Sequence, residues 1–470
     1  MRKANKRIII EGLEITKMAA EGRAMGHHEG KVIFVDYAVP GDIVNVQTTV
    51  SKKDYAVASI LEIITPSPTR IEAVCEHFGT CGGCRWQHVP YTQQLDFKQQ
   101  LVQEAFQRIG HLTFAEIQPI LGAPDVYHYR NKMEYTFSNR GWLTQEQIDG
   151  GEDFDRRALG FHVPGRFDGV MQINKCYLQD DLGNDIRNFV HQYAIQNNLS
   201  FYNVKIHEGF MRNLIMRNNI AGEWMVTVSF GENNKEEIHA LLDEIIKNFP
   251  AIISLNYVYN PKKNDTLYEL EVLNYHGKAY LTETLDGIQY KIGPKSFFQT
   301  NSKQAKNLYD VVRRMATIRP EDTVYDLYTG TGSIALYVAK TAKKVIGIET
   351  VEEAIEDAKF NMELNNISNA TFIASPVEKI LDEDFIAEYG QPDVVITDPP
   401  RAGMHEKVIE ILLASAPKQI VYVSCNPATQ ARDLSLLSEK YDIIEVQPVD
   451  MFPNTFHIEN VVNLMLKTNF

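Results

Sequence analysis

The sequence predicts an α/β protein in three parts, and three observations lead to this fold class. Residues 1–68 contain short alternating strands divided by turn residues, which is typical of an OB-like β-barrel. Residues 69–288 open on a cysteine-rich loop and continue with mixed helix and strand patterns, which indicate an α+β central domain. Residues 289–470 alternate short apolar runs with helix-period segments, and this alternation predicts a Rossmann-like, doubly wound sheet.

Length and composition narrow the class of protein. A chain of 470 residues is too long for one core, so several domains are expected. The net charge of −14 favours an acidic enzyme, and RNA binding would therefore need a local positive face. We find no apolar run long enough for a bilayer and no secretory signal, so we expect a cytoplasmic protein without membrane contact.

The barrel is predicted from three alternating strands. They lie at residues 31–35, 43–50 and 55–64, and a turn with Pro and Gly at 39–42 divides the first two. The prolines at positions 66 and 68 end the pattern. OB-like barrels are a common platform for oligonucleotides, although a barrel without a ligand would carry the same strand pattern.

Four of the five cysteines form a candidate metal site. Cys75, Cys81 and Cys84 have the spacing C-x5-C-x2-C in a glycine-rich loop, and Cys176 is available as a fourth thiolate. Disulfides are unlikely to form in the reducing cytoplasm. The spacing is compatible with an iron–sulfur cluster, with a structural zinc ion, or with buried thiols that hold no metal.

Beyond the cysteine loop, the central part is predicted to begin with a helix near residues 91–109. A strand at residues 129–137 carries Arg130 and Lys132 between aromatic residues. Such interleaving suits contact with stacked bases and phosphates, and an ordinary amphipathic strand explains it equally well.

The C-terminal part predicts a parallel sheet with polar residues at its strand ends. In open α/β sheets the ligands bind at the carboxyl ends of the strands. The predicted strands lie at residues 323–328, 344–348, 371–373, 393–397, 419–423, 443–446 and 461–466.

Three strand ends predict a ligand site, and the first two favour an adenosine-containing cofactor. The glycines of Asp326-Leu-Tyr-Thr-Gly330-Thr-Gly-Ser333 let the backbone approach a ligand closely. Glu349 ends the next strand, where an acid can accept hydrogen bonds from both ribose hydroxyls. Asp398 opens a rigid Asp-Pro-Pro loop that presents carbonyls and a carboxylate. The alternatives are a solvated helix cap at Glu349 and an unrelated proline turn at Asp398.

Two further residues suggest covalent chemistry. Cys425 lies in a polar Ser-Cys-Asn-Pro loop after the fifth strand, where its thiolate could attack an electrophilic carbon. Glu459 precedes the last strand and could act as a base. A small buried thiol and a solvent-facing strand residue are the corresponding structural interpretations.

A set of motifs runs along nearly the whole chain. They are Gly41-Asp42, Ser67-Pro-Thr-Arg70, the four cysteines, Ser296-Phe-Phe-Gln-Thr-Asn301, Asp398-Pro-Pro-Arg-Ala-Gly403, Ser424-Cys-Asn-Pro-Ala-Thr429, Arg432-Asp-Leu434 and His457-Ile-Glu459. With these motifs the sequence resembles the RumA-type 23S rRNA uracil-5-methyltransferases, within the wider group of RNA uracil-C5 methyltransferases.

The resemblance implies a TRAM domain over the barrel and a methyltransferase domain at the C-terminus. It further implies a monomer that methylates C5 of a flipped-out uridine of 23S rRNA. Cys425 would be the nucleophile that adds to C6, and Glu459 the base. S-adenosylmethionine would be held by Gln299, Tyr328, Gly330, Ser333, Glu349 and Asp398, and a [4Fe-4S] cluster by Cys75, Cys81, Cys84 and Cys176.

Three other functions remain open at this point. A tRNA uracil-C5 methyltransferase would use the same chemistry on another RNA. An amino-group methyltransferase would also use an Asp-Pro-Pro loop, but it has no need for Cys425 or Glu459. An RNA-binding ribosome-assembly factor with a structural metal would need no cofactor pocket.

Overall fold

The computed structural model describes residues 7–114, 116–151 and 153–468. In this part of the chain, strands form a six-stranded sheet, two seven-stranded sheets and a two-stranded hairpin. Among the same residues, no helix combines the length and the apolar character that crossing a membrane requires.

The six-stranded sheet forms the predicted N-terminal barrel. Its order is β1-β5-β6-β4-β3-β2, and β1 also contacts β3, so the sheet curls on itself. At Gly26 the two strands come so close that a Cβ atom would lie 2.3 Å from the carbonyl oxygen of Glu14, which requires glycine. The strands are β1 (Ile9–Glu14), β2 (Lys17–Met18), β3 (Ala24–His28), β4 (Lys31–Val35), β5 (Ile43–Ser51) and β6 (Tyr55–Thr65).

Helix α1 (Tyr91–Arg108) joins the barrel to the C-terminal domain, because its two ends pack into different cores. Trp86, just before the helix, and Phe97 belong to the barrel core. Val102 and Phe106, one and two turns later, belong to a core of the C-terminal domain. The helix therefore fixes the barrel against the C-terminal domain.

The central sheet has the order β13-β12-β11-β10-β7-β8-β9 and is antiparallel except for the pair β11–β12. Helices α3 and α4 pack against it in one core. In α4, apolar residues at the helical spacing Ile238, Leu241, Leu242 and Ile245 are all buried. The elements are β7 (Lys132–Ser138), α2 (Gln145–Gly150), β8 (Ala158–His162), β9 (Val170–Gln172), α3 (Asp181–Gln196), β10 (Met211–Asn218), β11 (Trp224–Phe230), α4 (Lys235–Asn248), β12 (Ile252–Tyr259) and β13 (Leu273–Gly277).

The C-terminal sheet confirms the predicted doubly wound fold. Its order is β18-β17-β16-β19-β20-β22-β21, with β22 antiparallel to its neighbours. The order of the strands changes direction between β16 and β19. Ligands bind at such switch points in doubly wound sheets. The elements are α5 (Ser302–Ala316), β16 (Thr323–Leu327), α6 (Ser333–Ala339), β17 (Lys344–Glu349), α7 (Glu352–Leu364), β18 (Ala370–Ala374), α8 (Val377–Ile380), α9 (Glu383–Tyr389), β19 (Val394–Thr397), α10 (Glu406–Ser415), β20 (Gln419–Ser424), α11 (Pro427–Leu437), β21 (Tyr441–Val449) and β22 (Glu459–Leu466).

A hairpin of β14 (Leu281–Leu285) and β15 (Ile288–Ile292) connects the central and C-terminal parts. Its buried apolar side chains, among them Leu281 and Tyr290, pack into a core of the C-terminal domain. The predicted domain limit at residue 288 falls inside this hairpin. The limits at residues 68 and 288 stay predictions.

A buried ion pair ties α1 to the end of β21. The Nζ of Lys98 lies 2.6 Å from a carboxylate oxygen of Asp450, and both side chains are fully buried. Lys98 also donates to the carbonyl of Phe452, whose own amide donates to Asp450. Nearby, Ile117 and Leu121 form isolated bridges to β21. These contacts hold the segment that leads into β22.

Candidate active site

A cavity of about 1140 Å³ opens at the carboxyl ends of the C-terminal strands. It lies beside the switch point between β16 and β19, and residues of the central sheet close its other side. The structure brings together all of the residues that the sequence predicts for cofactor binding and catalysis. The lining includes Gln299, Tyr328, Gly330, Ser333, Glu349, Asp398, Cys425 and Glu459.

The loop after β16 needs its glycines. Tyr328, Gly330 and Gly332 all have positive φ angles, of 64°, 55° and 76°. A Cβ atom at Gly332 would meet the ring of Phe372 at 2.9 Å, whereas the space beside Gly330 is open. The loop therefore packs tightly on its inner side and leaves its backbone accessible on the cavity side.

Asp326 holds this loop from below. Its buried carboxylate accepts hydrogen bonds from the Thr329 hydroxyl and from the amide of Ala335 in α6. Burial raises the pKa of Asp326 to about 7, against the effect of these two hydrogen bonds. The sequence pattern predicts no role for Asp326 beyond its place in the glycine motif, although an acid near the end of a strand, four residues before a glycine, is a usable signal.

Glu349 is fixed in place by backbone amides. One carboxylate oxygen accepts from Gly330, at 3.2 Å, and the other from Thr350 and Val351, at 2.7 and 3.0 Å. A carboxylate oxygen has two lone pairs, so capacity remains for a ligand hydroxyl. The geometry thus suits an acceptor at the cavity wall whose position is set before a ligand arrives.

Two carboxyl groups of the cavity lining have raised pKa values. Asp398 follows β19, and burial together with the charge of Asp326 raises its pKa to about 7. Glu459 begins β22 and is 6% exposed. Burial raises the pKa of Glu459 well above its usual range, and the Asp398 charge adds to the effect.

The thiol of Cys425 is within electrostatic reach of both acids and of the Arg401 cation. Burial raises the pKa of its thiol to about 11, and the negative charges of Glu459 and Asp398 add to this, while Arg401 opposes it. The thiol is therefore protonated in the ligand-free protein. Arg401 was not selected from the sequence, although its place in the Asp-Pro-Pro-Arg motif was a signal.

The loop that carries Cys425 is held rigidly. The Asn426 side chain caps α11 by accepting from the Ala428 amide, and it donates to the carbonyl of Arg401. The Thr429 hydroxyl donates to the same carbonyl at 3.1 Å. Pro427 follows at the first helical position, where its fixed φ suits a helix start. The Asp-Pro-Pro loop and the cysteine turn are thus joined as one unit.

The four other cysteines line a second cavity, of about 470 Å³. Burial raises the pKa of Cys81 to about 11 and that of Cys84 to about 12. The charges of Cys75 and Cys176 add to both shifts, so the four thiols lie within electrostatic reach of one another. The structure therefore places the four cysteines that are predicted as ligands around the wall of one cavity.

These thiols surround the cavity instead of meeting at one point. Within the described ranges, no three or more His, Cys, Asp or Glu side chains converge as a single metal ion would require. Thr300, Thr455 and His457 of the C-terminal domain also line this cavity. Glu459, two residues after His457, lines the other cavity, so one short segment separates the two.

Comparisons with known proteins place the chain in a family. Residues 271–467 match the profile described as tRNA (Uracil-5-)-methyltransferase, and residues 4–61 match the TRAM domain. An uncharacterized RNA methyltransferase of Bacteroides thetaiotaomicron is 50% identical, over 96% of this chain and 100% of the relative. Another, from Chlorobaculum tepidum, is 40% identical, over 96% of this chain and 95% of the relative.

A solved structure is similar over the whole length. It is the Pyrococcus abyssi tRNA (uracil-54, C5)-methyltransferase in complex with S-adenosyl-L-homocysteine. The TM-score is 0.75 at 30% identity, over 97% of this chain and 100% of that chain. The predicted family is confirmed: the chain belongs to the RNA methyltransferases of the tRNA (Uracil-5-)-methyltransferase family and carries a TRAM domain.

Proposed function

We propose that the protein transfers a methyl group from S-adenosylmethionine to C5 of a uridine in 23S rRNA, through a covalent adduct of Cys425. The observation that carries the proposal is the shared cavity. A thiol, a buried carboxyl group and a glycine loop with a fixed acceptor line the same space. An amino-group methyltransferase would leave the thiol and Glu459 without a use.

The cavity has the groups that an adenosine-containing cofactor requires. Glu349 would accept from the ribose hydroxyls, and the open backbone at Gly330 would lie against the ligand. Bound S-adenosylmethionine would supply an electrophilic methyl group. The remaining proposed contacts are Gln299, Tyr328, Ser333 and Asp398, all of which line the cavity. The similar P. abyssi enzyme was solved with the demethylated product, which supports this assignment.

The residues of the chain then divide the reaction. Cys425 loses its proton to solvent, and its sulfur forms a bond to C6 of the uracil, which places the electron pair on C5. C5 forms the new bond to the methyl carbon as the bond between that carbon and the sulfonium sulfur of S-adenosylmethionine breaks. Glu459 takes the proton from C5, and the returning electron pair breaks the bond between C6 and Cys425. Each step requires near-attack distances of ~3–3.5 Å, so the base must leave its stack.

Both catalytic groups must first be deprotonated. Burial raises the pKa of both the Cys425 thiol and the Glu459 carboxyl group, so it favours the protonated form of each in the ligand-free state. Arg401 opposes both shifts. A positive charge on a ligand beside Asp398 would act in the same direction. We therefore expect the reactive thiolate to form only when the cavity is filled.

We propose that Cys75, Cys81, Cys84 and Cys176 hold a [4Fe-4S] cluster. The donor set fits, because the four thiols surround a cavity instead of a single point. When bound, the cluster would cross-link the loop of residues 75–84 to the segment around Cys176. It takes no part in the proposed transfer, since each bond change is assigned to Cys425 and Glu459.

A second candidate substrate is tRNA. The P. abyssi enzyme that aligns over the whole chain acts on uracil 54 of tRNA. The assignment to 23S rRNA rests on the resemblance of the motifs to the RumA-type enzymes. Mass mapping of 5-methyluridine in both RNAs, from cells with and without this protein, decides between them. Loss of the modified base from tRNA alone would replace the rRNA proposal with the tRNA one.

Two variants test the covalent mechanism. We expect Cys425→Ala to abolish turnover and adduct formation while RNA binding survives. We expect Glu459→Gln to methylate C5 but to stall before proton removal, so that a protein–RNA adduct survives denaturing electrophoresis. RNA with 5-fluorouridine should trap the wild type in the same way. Methylation by Cys425→Ala would refute the nucleophile, and absence of a fluorouridine adduct would refute addition to C6.

A further inference from the structure

Arg187, in helix α3, is a fully buried cation whose partners are all neutral. Its guanidinium donates to the Tyr135 hydroxyl, to the Asn184 and Asn188 side chains and to the Asn174 carbonyl. The side chain is 0% exposed, and its Nε finds no acceptor among the residues that the structure describes. Burying a charge without an opposite charge is costly, so this arrangement requires an explanation.

The guanidinium lies beside the cysteine cavity. The same Asn184 oxygen accepts from Arg187 at 2.8 Å and from the backbone amide of Cys176 at 2.7 Å. Asn184 also donates to the Cys176 carbonyl, so one amide side chain links the cation to the backbone of the thiol. The Tyr135 hydroxyl accepts from Arg187. Burial raises the pKa of this hydroxyl, and the charge of Cys176 adds to the shift.

A second arginine lies at the wall of the cysteine cavity itself. Arg130 lines the cavity, and its Nε donates to the carbonyl of Lys132. In the described part of the chain neither Arg130 nor Arg187 has a carboxylate partner. The two lysines of the same wall do, since Lys132 pairs with Glu134 and Lys175 pairs with Asp181. The uncompensated positive charge is thus confined to the two guanidiniums.

We infer that Arg187, together with Arg130, is the counter-charge of an anionic iron–sulfur site. The inference rests on the cluster proposed above. While the four cysteines are protonated, the cavity offers these cations no anion. Four thiolates around an iron–sulfur core carry a net negative charge, because the core only partly cancels them. Loading the site would therefore give an opposite charge to the buried Arg187 and to the partly buried Arg130 at the cavity wall. Arg187 acts through the field it sets up at the thiolates and not by ligation.

The chain offers a matched control. Arg212 is also buried, at 1% exposure, has an unpartnered Nε, and lies over the ring of Tyr202. It lies in β10 of the sheet against which α3 packs, but it donates to the carbonyls of Asn260, Lys262 and Asn264 and to Asp265, away from the cysteines. Replacing it removes a comparable buried guanidinium without touching the proposed site.

The test uses the full-length protein purified without oxygen. We compare wild type with Arg187→Met, Arg187→Lys and Arg212→Met, and measure iron release to a chelator and the reduction potential of the cluster. Arg187→Met should release iron roughly 10- to 100-fold faster, the usual range when a residue that supports the metal ligands is replaced. Its reduction potential should fall, because the reduced cluster is more negative and loses more from removal of a positive charge. In both measurements Arg187→Lys should lie between wild type and Arg187→Met, and Arg212→Met should match wild type. If Arg187→Met does not fold, Arg130→Met at the cavity wall should shift both readouts in the same direction.

The outcomes separate the two proposals. Equal iron release and equal potential in Arg187→Met, Arg130→Met and wild type would overturn the counter-charge while leaving the cluster in place. Wild type that holds zinc or no metal would overturn the cluster and the counter-charge together. Methyl transfer is measured independently, so neither result decides the proposed activity.

Discussion

The buried pair of Lys98 and Asp450 allows a quantitative test of how α1 is joined to the C-terminal domain. Replacement of Lys98 by Met keeps the length of the side chain and removes the charge. Asp450 is then left buried with the amide of Phe452, and its second oxygen already has no partner among the described residues. The variant therefore creates a buried carboxylate without a cation.

The expected magnitude follows from this burial. Removing one partner of a buried pair destabilises by about 3–5 kcal/mol, since the remaining charge is uncompensated. Both side chains are 0% exposed and the nitrogen–oxygen distance is 2.6 Å, so the full range applies here. Removal of both charges in Lys98→Met/Asp450→Leu leaves no charge to compensate. We therefore expect the double variant to be less destabilised than Lys98→Met alone.

Chemical denaturation followed by tryptophan fluorescence measures these free energies of unfolding. Trp86 is a suitable probe, because it is fully buried and its ring lies 5.9 Å from the Lys98 nitrogen. Lys17→Met, which removes a partly exposed pair with Glu104, serves as the control and should cost under about 1 kcal/mol. If Lys98→Met matches this control, or if Lys98→Met/Asp450→Leu is no more stable than Lys98→Met, an uncompensated buried carboxylate is not the cause of the loss.

Three further predictions concern the two cavities. Glu349→Ala should weaken S-adenosylmethionine binding by roughly 1–3 kcal/mol in calorimetry, the scale of a hydrogen bond to a charged group, while the exposed Glu352→Ala should leave it unchanged. Asp398 binds its proton more tightly in the folded state, so it makes wild type less stable as pH rises from 3.8 to about 7. Asp398→Asn should therefore gain stability relative to wild type over that range, and a constant difference in unfolding free energy would contradict this. Cys81→Ser should increase hydrogen exchange in the cysteine loop, while the affinity for S-adenosylmethionine changes little. Unchanged exchange would contradict the cross-link.

Local patterns carried most of what could be predicted from the sequence. The strands at 31–35 and 419–423 were predicted closely, because apolar runs between turn residues have few other structures available. The strand predicted from residue 129 begins only at Lys132. The preceding amides of Arg130 and Asn131 donate to Leu178 and Thr300, which lie outside the sheet.

Long-range charge relations could not be predicted in this way. Lys98 and Asp450 are 352 positions apart, and neither has a local pattern that signals burial. From the sequence, Arg187 is indistinguishable from an ordinary polar residue of an amphipathic helix. Only the fold shows that it is buried near Cys176. The residues that line the larger cavity were easier to predict, because glycine, proline and cysteine impose recognisable local constraints at strand ends.

The segment between β21 and β22 connects the cysteine loop to the proposed base, so the proposed cluster could support the proposed methyl transfer without reacting. The carbonyl of Asn454 accepts from the amides of Arg85 and Trp86, directly after the cysteine loop, at 2.8 and 3.1 Å. Five residues later the same segment ends in Glu459, and along the way His457 lines the cysteine cavity. Loosening the cysteine loop would therefore release one support of the proposed base. A chain that has lost the proposed cross-link should therefore still bind its cofactor through the loop after β16, whereas proton removal by Glu459 should become slower.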